Sequence, residues 1–376
     1  MTIFYFCPHA PKPVGGIKQI HRHVESLNSA GIDAFVLTDR AEPPKWFASS
    51  APLAVIARSP WRRVAATLRR RPDPLFWLDG DRGPDVELMR GHGPARRAKL
   101  VREDIVVLPE FYGRSLRAPA FGARMVIFNQ NAHYTYLGFG AQDRLDGFPY
   151  LQSAMAVITV SRHNRDYIAH AFPGASVYLT PNGVDTDLFR PLPKQRQIAY
   201  MPRKLPMDLV QVLQIVRGRG HLSGWNLCAI DRMHEAQVTQ ALGESAVFLS
   251  SCAEEGFGLP PLEAAACACA VVGYTGYAAR EFMGPDLCHP VDQGDVLGFA
   301  RTLERVLAGF DSNGGSGISA QARAHGEFVR RHYSRQVERD SVLETWAAIL
   351  GGRDARRETE PARPSIPAAV RLSEAA

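Results

Sequence analysis

Residues 248–273 read FLSSCAEEGFGLPPLEAAACACAVVG, and the class of the whole chain follows from this stretch. An apolar run ends at Ser250, a glycine turn follows, a helix opens at Leu259–Pro260, and a second apolar run occupies Ala270–Gly273. Proline suits a first helical turn, where its fixed φ matches and its missing N–H has no intrahelical partner to lose. Gly256 and Gly258 allow the backbone to approach a ligand closely, and the free N–H groups of a helix start favour an anion. Strand, turn, helix and strand imply a parallel sheet with helices on its faces, whose ligands sit at this strand-to-helix edge. Two carboxylates flank the turn. Glu255 is expected in the loop and Glu263 in the first helical turn, each able to accept hydrogen bonds from ligand hydroxyls. Taken singly, Glu263 also suits a helix dipole and Glu254 or Glu255 a plain loop. Joined to Gly-Phe-Gly and Pro-Pro, they read as a site.

Outward from this stretch the same alternation recurs. The first residues predict a strand at Ile3–Cys7, a glycine loop at Gly15-Gly16, a helix over Ile17–Ala30 capped by Gly31, and a strand at Ala34–Leu37. Further strands are expected at Val55–Ala57, Ile105–Leu108, Met125–Phe128 and Ala156–Val160. A second series runs from Ile198–Met201 through a helix at Asp208–Arg217, strands at Trp225–Ile230 and Ala246–Ser250, and a long helix from Gly294 to Leu307. Between the series, Pro181-Asn-Gly183 and Phe189-Arg-Pro-Leu-Pro193 break the pattern. The expected organisation is an N-terminal domain over 1–180, a hinge over 181–193, a C-terminal domain over 194–335, a terminal helix over 336–350 and a disordered tail over 351–376. A Gly/Ser loop is expected at Ser312–Ser319 and two helices over Ala320–Ile349.

The 376 residues, 45% apolar and 22% charged, are enough for two folded domains and exclude a disordered or fibrous chain. The least charged stretches, Met125–Gln142 and Ala264–Ala279, are too interrupted by polar residues to span a bilayer. The beginning reads as a strand, without the basic region and cleavage site of a signal peptide. Six cysteines without metal-ligand spacing are expected as buried thiols in a reducing compartment, so the location is expected to be cytoplasmic. Twelve basic against five acidic residues between Arg58 and Arg102 give a local excess of seven, so the rest of this +6 chain is nearly neutral. That stretch is either a solvated insertion or a basic face for an anionic membrane surface or a phosphate-bearing acceptor. No nucleic-acid module is recognisable, and no nucleic-acid partner is expected. The D-x-D patterns at Asp79–Asp81 and Asp185–Asp187 are short, and no metal is expected at them.

The segment from Glu255 through Glu263 to Ala264 resembles the E-x7-E signature of the retaining GT-B glycosyltransferases of group 1, the GT4-like family. Gly15-Gly16, Val157–Ser161, Tyr178–Asp185, Phe189–Pro191 and Tyr200-Met-Pro-Arg203 are similar to the family's other landmarks, in order. The resemblance implies an α/β fold of GT-B type, with two Rossmann-like domains whose parallel sheets face a central cleft. It implies transfer of a sugar from a nucleotide-diphosphate sugar to an acceptor hydroxyl, in glycan or glycolipid biosynthesis. The sugar nucleotide would be a co-substrate, with no further cofactor, and the acceptor a carbohydrate or a lipid-linked one at the inner membrane surface. Carried over, Glu263 would hold the ribose, and Glu255 with the backbone of Gly256, Phe257, Gly258 and Leu259 the transferred sugar. Arg203 and Lys204, helped by Gly16, would neutralise the diphosphate. Gln130, Asn131 and His133 would lie on the acceptor side, and loop residues such as Tyr274 and Tyr277 would tune specificity. Two departures stand out. The lysine expected five residues after Arg203 is Asp208, with Lys204 adjacent instead, and Leu108–Gly113 has no histidine where many relatives carry one. The alternatives are a GT-B-fold sugar-nucleotide epimerase and a non-catalytic partner; a two-carboxylate glycosidase fits the spacing less well.

Overall fold

The computed structural model describes residues 1–8, 15–42, 44–57, 75–91, 93–312 and 315–352. The expected disordered tail lies outside them from residue 353, as do residues 58–74 of the basic stretch. The chain divides into two compact units. One comprises Met1–Thr180 with the segment from Arg339, the other Pro181–Glu338.

In the first unit, the described residues form strands β1 (Ile3–Phe6), β2 (Ala34–Thr38), β3 (Leu53–Ile56), β4 (Asp85–Met89), β5 (Arg96–Lys99), β6 (Ile105–Pro109), β7 (Arg124–Asn129), β8 (Ala154–Thr159) and β9 (Val177–Leu179). They make one sheet of order β5-β4-β3-β2-β1-β6-β7-β8-β9. All pairs are parallel except β3–β4 and β4–β5. Strands β1, β2 and β6 are buried throughout, as central parallel strands covered on both faces must be. Strand order reverses between β1 and β6, so the carboxyl ends of these two strands flank the crevice where such sheets bind ligands.

Helix α1 (Gly15–Ser29) follows β1, and Gly31 at φ +77° ends it as expected. Gly15 and Gly16 are not a loop but the first turn of α1. The missing side chain matters there, because a Cβ on Gly16 would lie 3.1 Å from the amide of Gln130. The antiparallel strands β4 and β5 within the basic stretch were not foreseen. Asp85 is registered with Lys99 and Glu87 with Arg97, so acids oppose part of its positive charge. Helix α2 (Arg162–Ala171) starts at Ser161, whose hydroxyl accepts from the Asn164 N–H.

The second unit has strands β10 (Gln195–Tyr200), β11 (Asn226–Ala229), β12 (Ser245–Glu255), β13 (Ala270–Tyr277) and β14 (His289–Val291). They form a parallel sheet of order β11-β10-β12-β13-β14, reversing between β10 and β12. Helices α3 (Pro206–Gly218), α4 (Glu235–Glu244), α5 (Leu259–Ala266), α6 (Val296–Asp311) and α7 (Ser316–His332) complete it. Helix α7 begins inside the expected Gly/Ser loop, where Gly315 at φ +72° makes the turn and Ile318 packs against Gly309. The last helix, α8 (Arg335–Leu350), leaves the second unit and returns to the first. There Trp346 is fully buried and its indole N–H donates to the Tyr5 hydroxyl at 2.8 Å. Thr345 pairs with Thr180 at 2.9 Å. Among the described residues, no helix is long and apolar enough to cross a membrane.

Candidate functional site

The reversal point of the second sheet carries a shallow, open depression. It is lined by Met201, Arg203 and Lys204 after β10 and by Ser250, Ser251, Cys252 and Glu255 at the end of β12. Two expectations about its walls are corrected. Strand β12 does not stop at Ser250; it runs to Glu255, paired with an equally extended β13 through Ser251↔Tyr274, Cys252↔Thr275 and Glu255↔Tyr277. Gly276 at φ +57° permits this, since a Cβ there would meet Cys252 Cβ at 2.9 Å. A register shift between Cys252 and Glu255, with Glu254 at φ +47°, re-aims the strand end. Glu255 is therefore the last strand residue, not a loop residue. Tyr274 is no specificity loop either. It is buried in β13, edge-on to Phe299, with its hydroxyl donating to Asp208 at 3.0 Å.

The Lys204 ammonium lies 2.8 Å from Glu255 Oε1 and donates to the Ala253 carbonyl at 2.8 Å. Their side chains keep 27% and 19% of their exposure, so the pair is neither dry nor freely solvated. Arg203 is exposed on the same rim. Asp208, in the first turn of α3, turns to Tyr274 and is not among the lining residues. The cationic side chains lining the depression are thus Arg203 and Lys204.

Past Glu255 the turn is built as the glycines suggested. Gly258 sits at φ +95° just before α5, and a Cβ on it would lie 3.0 Å from Ala279 Cβ. Gly256 is buried, and Leu259, half-buried, is the first residue of α5. The Phe257 ring is core, packed on Phe282 and Tyr333 at 5.5 and 5.9 Å, which leaves only its backbone for a ligand. Glu263 is half-buried and occupies the second turn of α5 rather than the first, with the Cys267 N–H bonded to its carbonyl. It does not line the depression, so of the two glutamates only Glu255 does.

Gly16, Gln130, Asn131 and His133 all belong to the first unit. Gly16 is brought against Gln130, and the Asn131 side chain accepts from the His133 N–H at 3.1 Å. The His133 ring stacks on His163 at 5.5 Å. Beside them lies a residue whose burial the sequence did not signal. Glu110, directly after β6, is 3% exposed, and its Oε2 has no hydrogen-bond partner. Burial pushes its carboxyl up to about 7, opposed by the backbone N–H groups of Gln130, Glu110 itself and Asn131. Gln130 Oε1 and Asn129 Oδ1 are likewise buried without donors. The only clue was the polar run Asn129-Gln-Asn131 directly after an apolar strand.

In each D-x-D pattern the first aspartate has protein partners. Both Asp79 oxygens are taken by Arg117, at 2.6 and 3.0 Å, and one oxygen of Asp185 accepts from the backbone of Asp187 and Leu188. All six cysteines are free thiols, and five of them are buried.

No protein-family model matches the chain. The α-1,6-glucosyltransferase of Actinobacillus pleuropneumoniae serotype 7 (strain AP76) is 25% identical over 219 residues, 55% of this chain and 64% of that protein. The matched stretch thus spans less than two thirds of that relative's length. Sucrose-phosphate synthase from Thermosynechococcus elongatus superposes with a TM-score of 0.61 at 14% identity, over 93% of this chain and 99% of the other. Anabaena Alr3699/HepE, solved with UDP and glucose, gives 0.62 at 13% identity, over 93% and 100%. The fold is that of the GT-B glycosyltransferases.

Proposed function

We propose that this protein is a retaining glycosyltransferase of the group 1 type, which moves a hexose from a uridine-diphosphate sugar to an acceptor hydroxyl in glycan or glycolipid synthesis. One observation carries the reading: Arg203, Lys204 and Glu255 line a single depression at the reversal point of the second sheet. Glycosyl transfer builds positive charge on the anomeric carbon and negative charge on the departing phosphate. Fixed cations and amides aimed at that phosphate lower the barrier without reorganising. Arg203 and Lys204 supply the cations, the backbone from Gly256 to Leu259 supplies N–H donors, and Glu255 accepts from the sugar hydroxyls. Glu263, one turn into α5, holds the ribose from outside the depression. The UDP and glucose of Alr3699/HepE support the choice of donor class. In this reading the phosphate charge is met by protein groups, and no metal or further cofactor takes part.

Acceptance falls to the first unit, where Gln130, Asn131 and His133 follow β7 with Gly16 beside them. The acceptor is a carbohydrate or a lipid-linked glycan, and the location is cytoplasmic. Accessory contact with an anionic membrane is supported by exposed Arg96 and Arg97 on β5 and weakened by Asp85 and Glu87 on β4. The deciding experiment measures UDP release from a panel of UDP-sugars with glycan acceptors. Arg203→Met is expected to lower kcat/KM for the donor about a hundredfold. Undiminished activity in Arg203→Met, or in Glu263→Ala, would sink the assignment of these residues.

A further inference from the structure

Glu255 has two claims on it. In the structure it neutralises Lys204, whose ammonium is also held by the Ala253 carbonyl. Within the proposed function, on which this inference rests, it also accepts from the hydroxyls of the transferred sugar. Lys204 likewise faces both ways, towards Glu255 and towards the diphosphate. The double duty arises from this chain's own departure: the position five residues after Arg203 is an aspartate spent on Tyr274, leaving Lys204 as the second cation of the depression.

A carboxylate that keeps only 19% of its exposure is costly to leave without a partner. When an intact nucleotide sugar binds, the diphosphate takes Lys204 and the sugar hydroxyls replace it on Glu255, so every charged group stays satisfied. When nucleotide diphosphate binds without the sugar, one partner loses. Either Glu255 gives up its cation with nothing in return, or Lys204 stays with Glu255 and the diphosphate is left with Arg203.

We propose that the Lys204–Glu255 pair is a latch that couples the grip on the diphosphate to the presence of the attached sugar. The protein thereby holds its donor more firmly than the nucleotide diphosphate that remains after transfer. Once the sugar departs, Glu255 reclaims Lys204 and the leaving group is let go.

The test is a double-mutant cycle read by calorimetry at fixed ionic strength, with UDP and inorganic pyrophosphate as probes. Glu255→Gln keeps the side-chain volume but frees Lys204, so both probes are expected to bind about tenfold more tightly than to the wild type. Lys204→Met is expected to weaken both. In the Lys204→Met background, adding Glu255→Gln is expected to change affinity less than twofold, because the charge it would free is gone. An unchanged or weakened affinity in Glu255→Gln overturns the latch, as does an equal gain in both backgrounds, which would mean simple long-range repulsion. Unchanged thermal melts of the variants keep misfolding apart from these outcomes. If pyrophosphate obeys the cycle while UDP binds to no form, the competition between Glu255 and a diphosphate for Lys204 stands, but the glycosyltransferase reading fails and the coupling to a sugar falls with it. If neither probe binds the wild type, the latch falls.

Discussion

Glu110 is a carboxyl held out of water. An ordinary carboxyl with a value near 4.5 is buried between β6 and β7, and burial lifts it to about 7 despite three backbone N–H donors. The unfolded chain loses this proton near 4.5, whereas the folded chain keeps it to about 7. Across that window the folded state holds an extra proton on Glu110, so this residue's contribution to stability falls as pH rises from about 4.5 to about 7 and is level above it. The loss is on the order of 3 kcal/mol. Glu110→Gln has no proton to lose. Its melting temperature relative to the wild type is therefore expected to climb between pH 4.5 and 7.5 and then hold level. Parallel curves for the two proteins would show that the carboxyl titrates normally. Two of the three N–H groups it receives belong to Gln130 and Asn131, so the same residue holds the backbone of that segment.

At the scale of elements, the turn between β12 and α5 decides whether the depression beside Glu255 has its shape. Gly258 combines φ +95° with a neighbour 3.0 Å from any added Cβ, so an alanine there is both strained and crowded. Gly258→Ala is expected to cost about 1–3 kcal/mol. Gly284→Ala, at a position with open space and no positive φ, is expected to cost less than about 0.5 kcal/mol. Urea midpoints of the two variants check this, and equal losses would contradict it. The turn also gives Glu255 and Glu263 different surroundings: one ends a strand that faces the depression, and the other sits a full turn inside a helix.

Over the whole molecule, the return of α8 to the first unit ties the chain's last described helix to its first strand. Trp346 is fully buried, and Tyr5 receives its N–H across 341 residues of sequence. Trp346→Ala is expected to destabilise the protein by about 3–5 kcal/mol. Trp346→Phe, which keeps most of the ring but abandons the hydrogen bond, is expected to cost about 1–2 kcal/mol. Chemical denaturation followed at the first unit orders the two; a near-neutral Trp346→Ala would mean that the helix end is not anchored there. A contact of this sequence separation closes a long loop, and the closure entropy it must repay grows only slowly with loop length.

The alternation of apolar runs with glycine turns and amphipathic stretches is set by near neighbours, and it was legible from sequence. So were the two α/β units and the glycine turn before α5, each resting on dihedral preference or on a side-chain period that a few residues define. Arg203, Lys204 and Glu255 were grouped only by the resemblance to a known family, and the structure sets them around one depression. What lay beyond them was decided by contacts between distant segments. Strand β12 runs on to Glu255 because β13 extends beside it, and Tyr274 is buried because Phe299 comes from another helix. Gly16 meets Gln130, Glu110 loses its water, Lys204 is captured by Glu255, and Trp346 finds Tyr5. Burial and partnership are properties of a packed interior. They come into being only when segments far apart in the chain exclude water together, and for that reason tertiary structure alone assigned them.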